Sequence, residues 1–383
     1  MNKTNYKNGI VIAMALLLII LLAFIYGFFS GAYKLPPYAQ LHSFYQKFIA
    51  NDYEKYEKID DLYMQTDVGS LIGIKSKSGI DKKRGAIIDY IWANKGFPNR
   101  MPNAIEKGIH DKYFDDLKNL ERIDKLTIDM DYGINSIAYH FIPKNGNNKL
   151  VIYHQGHEGF FIKGKDTIQF FLENGYSVIA FSMPLLGINS QPVIETDFGK
   201  IKFFNHNQFA FLESDKLAPI KFFVEPIAIS LNHIEKNYSY DDIAMVGISG
   251  GGWTATLYAA IDTRVQKSYP VAGTLPIFLR GEDDLGDYEQ IDSKLYRIAD
   301  YPDLYILGSY GYGRKQLQIL NKYDGCCFYG VKHTLYEDKI KEILKKFSNG
   351  SFDVYVDESH KEHRISDKAL RVILKDIGIN SIK

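Results

Sequence analysis

The chain has 383 residues, 46% of them hydrophobic and 14% aromatic, which is enough to fill the core of one large domain or two ordinary ones and excludes disorder as the dominant state. Its 46 basic and 46 acidic side chains cancel and no long basic run occurs, so the charge gives no case for a nucleic-acid partner. The only cysteines are the adjacent Cys326 and Cys327, which excludes a disulfide framework and a four-cysteine zinc site.

The first element is the run from Gly9 to Phe29, 21 residues without a charge. At ~1.5 Å per residue a helix of that length crosses a hydrocarbon core of about 30 Å, so residues 9–29 read as a transmembrane anchor. Lys3 and Lys7 precede the run and Lys34 is the nearest charge after it, a bias toward a cytoplasmic N-terminus and an extracytoplasmic body. Ser30 and Ala32 would suit signal-peptide cleavage, but the apolar region of a signal peptide spans only about 7–15 residues, and an uncleaved anchor over 1–32 is the preferred reading. The segment 33–123 begins with a stiff linker around Pro36 and Pro37 and continues in a mostly helical pattern, read as a cap or spacer without chemistry of its own.

From 124 to 383 strands alternate with helices, the order that predicts a mainly parallel sheet covered on both faces. Strands are predicted at "KLTIDM", "INSIAYHFIP", "KLVIYHQG", "YSVIAFSMP" and "DDIAMVGIS", then at "VQKSYPVAG", "KQLQIL" and "FDVYVD", eight in all. In the second of these Ile137, Tyr139 and Phe141 share one face at period two, and the helix "KDTIQFFLENG" ends on Gly175 as a helix should. Two weakly patterned insertions, near 185–214 and 274–314, follow the fourth and sixth strands. Of the two thiols, one reads as a small buried hydrophobe and the other as incidental, with a vicinal disulfide as the alternative.

The chemistry centres on "VGISGGGW", where four glycines surround Ser249 directly after the fifth strand. A phosphate-binding reading uses Gly250, Gly252 and Ala255 as G-x-G-x-x-A, but it wants an acidic residue about 20 positions on to hold a ribose, and "SYPVAG" has none. The nucleophile reading uses Gly247, Ser249 and Gly251 as G-x-S-x-G at a strand-to-helix junction. There the glycines have a mechanical purpose, because a side chain lifted out by a tight turn needs neighbours without a Cβ. The helix that follows also aims backbone N–H groups at the anion formed in acyl transfer.

On these residues the stretch 124–383 resembles the α/β-hydrolase superfamily, nearest to its dienelactone-hydrolase, acetyl-xylan-esterase and prolyl-oligopeptidase branches. The resemblance implies an α/β fold with an acid after the seventh strand and a histidine after the eighth. Asp324 in "NKYDG" then orients the base, ahead of Asp283, Asp284 and Asp287, which lie in the second insertion. The base is sought in "DESHKEHRIS": His360, three residues beyond the strand, has the spacing that resembles the superfamily better, and His363 is the alternative. "YHQGHEG" resembles the oxyanion turn after the third strand, with Gln155 as a departure, and Gly156 or His157 is expected to complement the N–H of Gly250. His154, His157 and Glu158 lack the H-E-x-x-H spacing of a helical zinc site, so no metal and no cofactor is expected, and His206 carries no assigned role.

The expectation is thus a membrane-anchored serine hydrolase with Ser249, His360 and Asp324 as its triad, acting on small-molecule, glycan or lipid esters, its two insertions covering the site as a lid. Esterase is preferred to a prolyl-oligopeptidase-type peptidase because nothing resembling a propeller precedes the hydrolase region. A non-catalytic tethered binding protein on the same fold is the reading from another class.

Overall fold

The computed structural model describes residues 3–33, 54–281, 285–347 and 349–378. The predicted linker around Pro36 and Pro37 falls outside them, as do Asp283 and Asp284. Two units are distinguished, 1–55 and 56–383.

In the first unit one helix, Lys3–Tyr33, contains the whole charge-free run. Its side chains from Met14 to Phe28 are exposed, Leu17 at 67% and Phe24 at 72%, while Ser30 is buried. Among the described residues no helix is long and apolar enough to cross a membrane.

The second unit is built on a nine-stranded sheet. Its strands are β1 (Ala104–Ile109), β2 (Leu120–Asp129), β3 (Asn135–Pro143), β4 (Lys149–His154), β5 (Ser177–Phe181), β8 (Asp242–Ile248), β9 (Lys267–Val271), β10 (Lys315–Asn321) and β11 (Ser351–Asp357), while β6 (Val193–Thr196) and β7 (Gly199–Lys202) form a separate hairpin. The order across the sheet is β1-β2-β3-β5-β4-β8-β9-β10-β11. Pairing is antiparallel from β1 through β3 to β5 and parallel from β5 to β11. The eight predicted strands are all present, in their predicted order. The ninth, β1, lies in the segment read as helical. It is an edge strand with an exposed, charged sequence, "AIEKGI", held by Lys125 on Glu106 at 2.7 Å, and therefore carries almost no apolar alternation to find.

Burial explains the parallel half. All five residues of β5 are buried, as are all but the first of β4 and β8, the continuous apolar pattern of strands covered on both faces. Side-chain alternation divides the core in two. Ile152, Ile179 and Met245 face one layer with Ile80 and Ile87 of the helix Lys77–Ile91 and with the helices Lys221–Asn237, Gly250–Ile261 and Tyr301–Ser309. Val151, Val178 and Val246 face the other, with Phe171 of the helix Lys165–Glu173 and Ile373 of the helix Asp367–Gly378. The helix Lys165–Glu173 closes on Gly175 as expected, at φ +82°, its N–H donating to the Leu172 carbonyl at 3.0 Å.

Residues 77–91 are more than a spacer. Arg84 donates to the carbonyls of Ala260 and Leu307, and Lys83 pairs with the buried Asp303 at 2.7 Å, which also accepts the N–H groups of Gly73 and Ile74. Charged residues that read as solvated in the sequence are thus clamps between this segment and the sheet's helices.

Parallel pairing has the consequence that positions the site. Ile248, Val271, Asn321 and Asp357 all end their strands at the same edge of the sheet, in register with one another through β8–β9 and β10–β11. Every loop that carries a predicted functional residue leaves from that edge.

Candidate active site

Ser249 follows β8 and immediately precedes the helix Gly250–Ile261, with φ 57° and ψ −128°. A non-glycine residue in that region is held at a cost of order 1–3 kcal/mol, which the surrounding structure must offset. Its N–H donates to Val271 O at 2.9 Å and its carbonyl accepts from Trp253 at 3.0 Å, so the strained residue is tied to β9 on one side and to the helix on the other. The flanking glycines are required by contact. A Cβ on Gly247 would lie 2.0 Å from the Gly251 carbonyl oxygen, and one on Gly251 would lie 2.1 Å from that of His154. Both obstacles are backbone. Gly251→Ala is therefore expected to lower the urea-unfolding free energy by at least about 1–3 kcal/mol. Gly85→Ala, in an open helical position with nothing near its added Cβ, should instead raise it by about 0.5–1 kcal/mol.

Beyond β10, Asp324 is fully buried in a turn closed by its N–H on the Asn321 carbonyl. One carboxylate oxygen accepts the Cys326 N–H at 2.8 Å, and the other is 2.6 Å from His363 Nδ1. A carboxylate only accepts, so His363 carries a proton on Nδ1, which in the neutral ring leaves the lone pair at Nε2. That Nε2 is buried and has no hydrogen-bond partner among the described residues. The structure therefore pairs the predicted acid with His363, and His360 is not on Asp324. His360 Nε2 lies 3.5 Å from Asp357, the last residue of β11, whose carboxylate is also bound by Ser359 and Ser366. The path of the loop is the reason: Asn321 Nδ2 holds the Arg364 carbonyl at 2.9 Å, drawing the residue next to His363 onto the end of β10, while His360 turns back against its own strand.

Cys326 and Cys327, just past Asp324, form a vicinal disulfide rather than the separate thiols preferred from sequence, and both sulfurs lie within 4.8 Å of a His363 ring nitrogen.

The loop after β4 approaches the serine turn closely. A Cβ on Gly156 would be 2.6 Å from Ser249 Cβ and 3.3 Å from the Gly250 nitrogen. Gly250 opens its helix, so its N–H has no carbonyl one turn earlier to bond. Gly156 and Gly250 thus bring their backbones together beside Ser249, with the His157 ring against Gly250. The side chain of Gln155 is buried and turned inward, accepting the Tyr153 hydroxyl.

His154 is buried, bonded through Nδ1 to the Gln155 carbonyl, and burial pushes its imidazole down to about 4. His140 in β3, fully buried with Nε2 3.0 Å from the Tyr240 hydroxyl, is pushed down to about 3 by the same cause. Unfolded, both titrate near 6.5, so their contribution to stability is complete above about pH 6.5 and is lost as pH falls through about 4 and then about 3. His140→Gln is expected to flatten the decline of the urea-unfolding free energy between pH 6.5 and 4 relative to the wild-type chain.

The side chain of His157 belongs to a cluster the sequence did not show. Its Nε2 lies 3.0 Å from His206 Nδ1, 3.0 Å from Glu289 Oε1 and 2.9 Å from Asp287 Oδ2. Burial alone would lower this imidazole, but the two carboxylates hold it up at about 10. Glu289 is fully buried, and the histidine partners keep its carboxyl below the usual carboxylate range against the effect of burial. His206 and Glu289 come from the two insertions, 49 and 132 residues from His157, and no local spacing could have joined them. The insertions also pack on one another: Asn207 accepts the Tyr288 N–H, and Glu213 takes Tyr288 and Lys294. They form one body, and its His157 contact reaches the serine turn, since a Cβ on Gly250 would meet His157 Cε1 at 2.5 Å.

No protein-family model and no curated protein matches the chain. Among solved structures it is similar to an acetyl xylan esterase from Paenibacillus sp. R4, at 14% identity and a TM-score of 0.52, over 85% of this chain and 97% of that one. Acetyl xylan esterase 1 from Thermoanaerobacterium sp. JW/SL YS485 matches at 14% identity and a TM-score of 0.51, over 82% and 98%. Methylesterase BT1017 matches at 13% identity and a TM-score of 0.53, over 79% of this chain and 64% of that one. With the strand order and the serine turn, these likenesses show that residues 56–383 have the α/β-hydrolase fold.

Proposed function

We propose that the protein is a serine hydrolase of carboxylic esters, with Ser249 as nucleophile, His363 as general base and Asp324 as the group that orients it. The observation that carries this reading is the Asp324–His363 pair, 2.6 Å apart, at the same edge of the sheet as a serine in left-handed backbone geometry. Ser249 Oγ attacks the acyl carbon while its proton passes to His363 Nε2. Asp324, already bonded to Nδ1, holds the tautomer and stabilises the imidazolium. The tetrahedral oxyanion takes hydrogen bonds from the Gly250 N–H and from Gly156 or His157. Collapse of this intermediate breaks the ester C–O bond, and His363 returns the proton to the departing alkoxide. Water, deprotonated by His363, then attacks the acyl-enzyme and releases the acid and Ser249.

The names of the structural neighbours favour ester over peptide bonds, two being acetyl xylan esterases and one a methylesterase. Acylated glycans or small acyl esters are therefore the proposed substrates. The charge-free run of residues 9–29 and its exposed apolar side chains from Met14 to Phe28 support a proposed role as a membrane anchor, and Lys3 and Lys7 before it favour placing the catalytic unit on the extracytoplasmic side. Incubating the full chain with a fluorophosphonate probe tests the class of enzyme. Covalent labelling at Ser249 is expected, and a chain that stays unlabelled under conditions that label other serine hydrolases returns the fold to the binding-protein reading. Comparing acetylated sugars, short acyl esters and prolyl peptides as substrates then separates esterase from peptidase.

A further inference from the structure

We propose that His157, His206, Asp287 and Glu289 form a binding site for a divalent transition metal of the zinc class, joining the two insertions to the loop beside the nucleophile.

The argument starts from protons. His206 Nε2 lies 2.9 Å from the Pro184 carbonyl, which only accepts, so the His206 ring carries its proton there and Nδ1 presents a lone pair. That lone pair is 3.0 Å from His157 Nε2 and 3.4 Å from Glu289 Oε2, an oxygen that is buried and receives no hydrogen bond among the described residues. His157 Nε2 is in turn within 3.0 Å of three acceptors, His206 Nδ1, Glu289 Oε1 and Asp287 Oδ2. One N–H cannot satisfy all three. With the His157 Nε2 proton displaced, two imidazole nitrogens and two carboxylates would turn their electron pairs toward one point, the arrangement a divalent cation takes.

The dimensions suit zinc. One ligand atom from each of the four residues lies within 4.8 Å of all the others, and the close pairs are 2.9–3.4 Å apart. Tetrahedral coordination at about 2.0–2.1 Å to nitrogen and oxygen puts neighbouring ligand atoms about 3.3 Å apart. Two imidazoles select a borderline metal over calcium or magnesium, which take oxygen ligands. Two carboxylates with neutral histidines balance a divalent charge. The Pro184 carbonyl provides the outer-shell acceptor that fixes a ligating imidazole.

What the metal joins gives it a role. His157 follows Gly156 in the loop beside Ser249, and its ring lies against Gly250. His206 begins the 3-10 helix His206–Leu212 of the first insertion, and Glu289 sits in the helix Tyr288–Ile291 of the second. A bound ion would hold both insertions and the backbone donors of the oxyanion site in one geometry.

Metal binding is read without turnover, so its failure is distinct from a failure of the serine-hydrolase reading. The full chain is dialysed against ZnCl2, then against metal-free buffer, and its zinc content measured; Co2+ is titrated in parallel for the intense visible absorption of a tetrahedral site. One equivalent of zinc and the Co2+ spectrum are expected, with no competition from Ca2+ or Mg2+. His206→Gln and Asp287→Asn should each weaken binding beyond the ~10–100-fold that loss of an outer-shell partner costs. Asp287 is 37% exposed, so Asp287→Asn decides the matter if the buried His206 variant fails to fold. A chain that retains no zinc, or an Asp287→Asn chain that binds it as tightly as wild type, overturns the site and leaves the cluster held by a proton on His157.

Discussion

Ser249→Ala is expected to abolish fluorophosphonate labelling and to reduce ester hydrolysis by ~10⁴-fold or more while leaving the circular dichroism spectrum unchanged. The size of the effect follows from chemistry that the rest of the site cannot replace. The backbone N–H groups proposed as oxyanion donors, at Gly250 and at Gly156 or His157, remain, and what they still stabilise sets the residual rate. The fold should tolerate the change because alanine meets the same backbone geometry as serine, at φ 57°, without a new steric demand. The Ser249 side chain also has no hydrogen bond within the turn, where the contacts to Val271 and Trp253 are made by its backbone. A variant that hydrolyses acyl esters within tenfold of wild type would remove Ser249 from the mechanism.

His363→Ala is expected to cost ~10⁴-fold in kcat with KM little changed, because proton transfer is confined to the transition state and contributes little to ground-state binding. His360→Ala should keep kcat within about tenfold and act on stability instead. Its imidazole is nearly buried beside Asp357, and removing it opens a cavity under the loop without touching the Asp324–His363 contact. The pair of variants discriminates sharply. An active His363→Ala chain together with an inactive His360→Ala chain would require the loop 358–366 to rearrange in solution so that His360 reaches Asp324.

The difference between these two histidines shows where sequence reading ran out. Both follow the same strand, both lie in one short polar stretch, and spacing favoured the earlier. What selects His363 is a hydrogen bond from Asn321 at the end of β10 to the Arg364 carbonyl, a contact between segments 43 residues apart. The serine turn was legible for the opposite reason. A strand, a sharp turn and a helix succeed one another within a few residues, and the glycines that permit the turn are its own neighbours in the chain. Asp324 was reached through the resemblance, which implies an acid after the seventh strand, and the parallel pairing of β8, β9 and β10 brings the turn after "KQLQIL" to the same edge as the one after "DDIAMVGIS".

The succession of strands and helices along the chain, two-sided burial and the serine turn were determined by local pattern: apolar runs, helix stops and a G-x-S-x-G spacing at a strand-to-helix junction. The vicinal disulfide beside Asp324 and the edge strand β1 were not, the first because adjacency in sequence does not decide whether thiols are bonded, the second because an exposed edge needs no apolar alternation. The His157, His206, Asp287 and Glu289 cluster was decided by tertiary structure alone. Its members lie in the loop after β4 and in two insertions with no periodicity, and only the packing of those insertions against one another over the sheet edge brings four ligand-type atoms to a common centre. Short-range physics is written in neighbouring residues, whereas convergence of distant loops depends on the whole fold, and for that reason the serine turn could be read from the sequence while the pairing of Asp324 with His363 was decided only in three dimensions.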